Sequence, residues 1–218
     1  MAETAGTQII RVLPPGVKRT GPANEKIMRL GWRAVADGLL APKSALRCDV
    51  LHVAGDPPRD AEPLAAAIAE ECRRTGAEAV FFEFPERAQA TAIEAAGALH
   101  EAFGLATYST LTGGGLIATV PDTQPSPPEP PFALCVAFRS TLTEISGKNA
   151  EKRSVTRGEL NEIIQRHAPQ ITFSQELSAN YFTLHADGKT LFAVFDTDET
   201  IRLRIDRARA GGACACFV

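Results

Sequence analysis

No stretch of the chain approaches the ~18 apolar residues that a membrane-crossing helix needs, so no transmembrane span is expected. Charge of one sign is also missing. Lys and Arg number 23 against 26 Asp and Glu, a net charge of −3, which gives no electrostatic footing for nucleic acid or an anionic membrane. The start, MAETAGTQIIRVLPPG, has no basic segment followed by an apolar core, so no signal peptide is expected, and the cysteines below make a cytoplasmic location the expectation. The cysteines are only five, an odd number, at 48, 72, 135, 214 and 216, all in apolar contexts. They read as buried thiols of a reducing compartment, not as a disulfide framework. Cys214-Ala-Cys216 resembles half of a ligand set, but no second pair accompanies it, and His52, His100, His167 and His185 show no metal spacing. No metal and no cofactor is expected. A glycine-rich phosphate loop is absent too, since Pro14-Pro15-Gly16 follows the first apolar run.

What is present is an alternation of short apolar runs with helical patterns. Strands are expected at 8–13, 32–36, 49–55, 76–84, 105–110, 116–120, 132–139 and 212–218. Helices are expected at 24–30, capped by Asn24, and at 63–75, where Leu64, Ala67, Ile68 and Cys72 recur at helical spacing. Further helices are expected at 86–103 (closed by Gly104), at 156–167 (opened by a Thr156/Glu159 capping box) and at 199–209. A hairpin is expected from 171 to 195, turning at Asp187-Gly188. Eight strands with helices between most of them predict a parallel sheet closed into a (β/α)8 TIM barrel, although about 250 residues is usual for that fold. At 218 residues, with no helix pattern at 111–115 or in the proline-dense 121–131 segment, this is a trimmed barrel forming a single domain, 1–218. The competing architecture is an open doubly wound sheet.

Glu83 ends the most apolar strand, Ala79-Val80-Phe81-Phe82-Glu83. The carboxyl ends of barrel strands are where such folds keep their chemistry. Side chains alternate along a strand, so Ala79, Phe81 and Glu83 share one face, and the acid stands on an apolar layer. Buried without a cation, such an acid has a raised pKa and suits general acid catalysis. The plainer alternative, which weighs more, is a strand-end Glu that reaches solvent or pairs with Arg139 at the end of the seventh strand.

The last third of the chain carries Tyr181-Phe182, the turn Asp187-Gly188, Val194-Phe195-Asp196, Thr200-Ile201, Arg204 and Gly211-Gly212-Ala213. In order and spacing this resembles family 18 glycoside hydrolases, the chitinase-like barrels, and most closely their spore-associated peptidoglycan glycosylase branch. The resemblance implies a small α+β insertion at 140–195, after the seventh strand. It also places the Glu83 strand where the family carries Asp-x-x-Asp-x-Asp-x-Glu. There the Glu protonates the glycosidic oxygen, while the Asp two residues earlier orients the acetamido group of an amino-sugar glycan. This chain keeps only Glu83. Phe81, Ala79 and Gly76 stand where the family has its acids, and Cys216 stands where the eighth strand has a sugar-binding Trp. The resemblance therefore implies a glycan-binding or non-catalytic member. A residual hydrolase with Glu83 as general acid is the alternative.

Asp37, Asp56 and Asp122 also end expected strands, and in a closed barrel they would ring one mouth with Glu83. A carboxylate about 5–10 Å from Glu83 would suit glycosidase geometry. Each alone is ordinary turn chemistry before Gly or Pro or at a strand end. Tyr108 is a hydrogen-bond donor for that mouth or a core residue, and Arg139 a binding cation or the partner of Glu83. Trp32 is a sugar-stacking candidate for which a core position is the safer reading. The arginines at 202, 204, 207 and 209 read as a solvated helix face interleaved with acids.

Overall fold

The computed structural model describes residues 7–19, 25–43, 46–122, 128–186 and 188–218. The expected cap at Asn24 and the turn residue Asp187 lie outside them. Two units emerge: one holds residues 1–135 and 208–218, the other residues 136–207.

The first unit contains the barrel. Its strands are β1 (Gln8–Leu13), β2 (Lys26–Val35), β4 (Val50–Gly55), β5 (Ala79–Glu83), β6 (Ala106–Ser109), β7 (Ile117–Pro121), β8 (Phe132–Cys135) and β14 (Ala213–Phe217). They pair in parallel in the order β1-β14-β8-β7-β6-β5-β4-β2, and β2 returns to β1, which closes the cylinder. A short β3 (Gly38–Leu40) pairs antiparallel with the end of β2. All eight expected strands are barrel strands. The barrel is trimmed: α1 (Ala61–Thr75) follows β4 and α2 (Gln89–Phe103) follows β5, while β6 and β7 are joined by glycines. Gly113, Gly114 and Gly115 all have positive φ, and a Cβ on Gly114 would run into Ile93 of α2. That link hugs α2 and needs glycine for it.

Strand alternation divides the apolar residues between two layers. Ile10, Met28, Val50, Ala79, Phe81, Tyr108, Ala133, Ala215 and Phe217, one or two from nearly every strand, pack together inside the cylinder. Leu51, Val53, Val80, Phe82 and Phe84 point outward and are covered by Leu64, Ile68 and Cys72 of α1 and by Ala92, Ala95 and Leu99 of α2. Each large side chain so buried stabilises the fold by about 1.5–3 kcal/mol. The helix ends follow their sequence signals. Asp60 accepts from the Glu62 amide at the start of α1, and Gly76 and Gly104 close α1 and α2 in the left-handed conformation.

The expected helix at 24–30 is corrected: residues 26–35 are strand β2. Met28 is buried within the cylinder while Trp32 and Ala34 join the outer layer, and the register with β4 shifts between Arg29 and Trp32 around Gly31, whose φ is 123°. The bulge switches faces, which breaks the alternation that would have revealed the strand.

The second unit is a five-stranded antiparallel sheet, β10-β9-β13-β12-β11, with α3 (Arg157–His167). Its strands are β9 (Ser140–Ser146), β10 (Asn149–Ser154), β11 (Thr172–Ser174), β12 (Ala179–Ala186) and β13 (Lys189–Phe195). The core is Leu142, Val155, Leu160, Phe182, Ala193 and Phe195. Thr156 and Glu159 form the expected capping box at the start of α3. Helix α4 (Asp198–Ala210) follows β13 and leads to β14. Among the described residues, no helix is long and apolar enough to cross a membrane.

Candidate functional site

Glu83 closes β5 and lies beside Ala54 of β4 in the register. Alternation puts it on the inward face above Phe81 and Ala79, at the carboxyl end of the barrel. Its side chain is 63% exposed, and Oε2 lies 2.9 Å from Nε2 of His52, one inward step earlier on β4. An ionised carboxylate only accepts, so the neutral His52 ring donates from Nε2. Its Nδ1 is then a bare acceptor, buried with no hydrogen-bond partner among the described residues. Burial pushes the His52 pKa below the usual 6.5, and Glu83 opposes that shift without reversing it. The buried, unpartnered acid is not what the structure holds, and of the weightier alternative it keeps the exposure but not the Arg139 partner. Glu83 reaches solvent, and its partner is a histidine of the neighbouring strand. The burial on which the general acid argument depended is absent.

Beneath Glu83 the cylinder is filled by aromatic rings. Phe81 is 5% exposed, meets Phe217 edge-on at 5.0 Å between centroids and lies 5.7 Å from the His52 ring. Tyr108 is buried against the same Phe217 at 5.2 Å, and burial raises its pKa to about 12. Tyr108 is thus part of the inner packing. On β14 the inward aromatic is Phe217, whereas Cys216 alternates to the opposite face and is fully buried. The family's eighth-strand Trp position, matched to Cys216 from the sequence, does not present Cys216 to the barrel interior.

The other expected site residues are dispersed. Asp37 is exposed in the two-residue turn between β2 and β3, where Val35 pairs with Gly38, so the turn reading holds for it. Asp56 is exposed just beyond β4 and pairs with Arg87 at 2.7 Å. Asp56 and Arg87, with Arg33, Arg59 and Thr91, line a surface cavity of ≈ 810 Å³ beside the ends of β2 and β4. Asp122 follows β7, half-buried, and its amide donates to the Cys135 carbonyl at 3.0 Å. Trp32 is 1% exposed, and its indole N–H donates to Glu71 of α1, so it is a core residue.

Arg139 requires a correction. Strand β8 stops at Cys135, so Arg139 does not end it, and its guanidinium and amide both donate to Asp196 of the second unit. Asp196 is wholly buried and also accepts from Arg204 at 2.6 Å and Thr200 at 3.0 Å. Burial lowers the Arg204 pKa to about 10, still cationic at neutral pH. Asp196, Thr200 and Arg204, matched from the sequence as part of a family pattern, do structural work together with Arg139.

His52 is the residue that sequence reasoning passed over. Its only signal was the inward alternation Val50, His52, Ala54 on a strand adjacent to that of Glu83. Among the described residues no cluster of three or more His, Cys, Asp or Glu is arranged to hold a metal ion.

No family model and no curated protein sequence matches the chain. Solved structures do match in fold. The spore cortex-lytic enzyme SleL of Bacillus megaterium QM B1551 superimposes with a TM-score of 0.65 at 9% identity, over 100% of this chain and 71% of that one. A class V chitinase of Nicotiana tobaccum in complex with NAG4 gives 0.65 at 7% identity over 97% and 93% of the two chains. Human YKL-39, described as a pseudo-chitinase with retained chitooligosaccharide binding properties, gives 0.58 at 7% identity over 97% and 91%. The closed parallel barrel and these superpositions establish that this chain has the chitinase-like fold of family 18 glycoside hydrolases.

Proposed function

We propose that the chain is a degenerate chitinase-like barrel that binds an amino-sugar glycan at the carboxyl end of its strands and does not hydrolyse it. One observation carries this reading: the inward positions below Glu83 hold a methyl group and a packed phenyl ring. Substrate-assisted hydrolysis of the kind the family resemblance implies needs an acid there to orient the acetamido group. A phenyl ring packed edge-on against Phe217 offers no oxygen to orient that group and no negative charge to the developing cation. General acid catalysis by Glu83 alone would contribute about 10²–10⁴-fold, while glycoside hydrolysis also requires a nucleophile or base. The substitutes considered from the sequence do not improve the case. Asp56 is engaged by Arg87, and Asp37 sits in a hairpin turn.

Glycan binding is supported by the fold neighbours, one seen with NAG4 and one described as keeping chitooligosaccharide binding as a pseudo-chitinase. The test uses the purified chain with a chromogenic chitobioside and, separately, calorimetric titration with chitotetraose. The expected result is no turnover in the wild type or in Glu83→Gln, together with saturable heat on titration. Turnover that Glu83→Gln abolishes would make the chain a hydrolase and overturn the reading. Absence of saturable binding would remove the glycan from it.

A further inference from the structure

At the opposite end of the barrel, among the loops that precede the strands, Arg29 of β2 is buried to 3% exposure. It faces outward, since Met28 beside it faces the barrel interior. Its Nε donates to the Arg47 carbonyl at 3.0 Å and its Nη1 to the Val17 carbonyl at 2.7 Å. No carboxylate lies within ion-pairing distance of it among the described residues. A guanidinium withdrawn from water without a counter-charge is costly, and two neutral carbonyls offset only part of that cost. The side chain lines a cavity of ≈ 750 Å³ together with Lys18, Arg19, Arg47 and Asp49. The one acid there, Asp49, spends a carboxylate oxygen on the Ile27 amide at 2.7 Å. Arg19 is already engaged by the Glu25 carbonyl at 2.7 Å; Lys18, Arg29 and Arg47 still set three cations in the lining against one carboxylate, in a chain whose net charge is −3.

We propose that this cavity binds a small phosphorylated ligand, with Arg29 as its buried anchor and Lys18 and Arg47 as its solvent-side clamps. The guanidinium fork matches phosphate oxygens in bidentate geometry, and a dianion answers the surplus positive charge better than a single carboxylate does. The volume falls in the range of sites for small organic ligands, so there is room for a sugar or nucleoside beyond the phosphate. Ile27, Leu46 and Cys48 give that remainder an apolar wall. The site lies across the barrel from Glu83 and does not depend on the glycan reading.

The experiment is calorimetric titration of the full chain, at low ionic strength, with inorganic phosphate, ribose 5-phosphate and ribose. Saturable binding of both phosphates and none of ribose is expected. Lys18 and Arg47 are exposed, so Lys18→Ala and Arg47→Ala leave the fold intact, which an unchanged melting curve verifies. Each is expected to weaken ribose 5-phosphate binding by about fivefold or more, as loss of one charge-assisted hydrogen bond implies. Arg29→Met is expected to remove binding; where it also lowers the melting temperature, the two surface variants decide. No saturable heat with either phosphate up to the order of 10 mM, equal binding of ribose, or unchanged affinity in the Lys18→Ala/Arg47→Ala double variant would each overturn the proposal.

Discussion

Replacing Phe81 by Asp puts back the type of residue that the family resemblance places two positions before the Glu. A carboxylate at that position has to be hydrated or hydrogen-bonded to stay ionised. Here it is 5% exposed, with Phe217 at 5.0 Å and the His52 ring at 5.7 Å, and it lies beside Tyr108 in the register. Loss of the ring removes packing worth about 3–5 kcal/mol. The introduced carboxylate adds to this unless it takes up a proton, because the layer offers it no cation while His52 is neutral. Measurement at pH 8 keeps His52 neutral, since its pKa lies below 6.5. For a chain of this size the loss corresponds to a melting temperature lower by roughly 6–20 °C. Trp32 is the only tryptophan and is buried in the barrel unit, so its fluorescence during urea unfolding reports on that unit. Phe81→Asp is expected to shift the midpoint by the full amount and to yield no chitobioside turnover, while Phe81→Leu shifts it far less. A Phe81→Asp loss below about 1 kcal/mol would mean that the inner layer is loose or wet. Packing would then not have replaced chemistry at this layer.

His52 sets a pH dependence with a definite sign. Its folded pKa is depressed, so the unfolded chain takes up the proton first as pH falls through 6.5, and this residue's contribution to stability is present above that value and declines below it. His52→Gln is expected to flatten that slope in urea titrations between pH 7.5 and pH 5.5, and an unchanged slope would contradict the assignment. Asp196→Ala removes the acceptor shared by Arg139, Thr200 and Arg204, and should cost about 3–5 kcal/mol by denaturation followed by circular dichroism. Asp196→Asn, which keeps an acceptor, should cost less, and a loss under about 1 kcal/mol for the alanine variant would refute the buried-cluster account. Burial raises the pKa of Cys72 to about 12 and that of Cys216 to about 11, so both should resist a thiol-reactive disulfide at pH 8 until the chain is unfolded. Rapid native reaction of all five cysteines would refute that.

The fold was legible where a local rule and the global architecture agreed. Gly76 and Gly104 stop two helices because left-handed backbone follows, and the Thr156/Glu159 pair starts a third, all by chemistry within a few residues. The eight barrel strands announced themselves as short apolar runs. Where β2 changes face at the Gly31 bulge the periodicity was lost, and Asn24 offered a helix cap that nothing contradicted locally. The β9–β10 hairpin went unread for a related reason. All of β10 is exposed, so it carries no apolar face to reveal it.

The site was less legible, because its content is a relation between strands. Glu83 could be placed on the inward face of β5 from alternation alone. Its partner could not, because His52 is 31 residues away in sequence and meets the acid only once β4 and β5 are set side by side in register. An acid judged from its own strand stands on Ala79 and Phe81 and looks desolvated. Judged in the sheet, it leans out toward solvent and holds a histidine that is more buried than itself. The desolvated group at this barrel mouth is the imidazole. Chemistry proposed for this rim therefore has to be written for a neutral His52 with a bare Nδ1 as well as for the carboxylate.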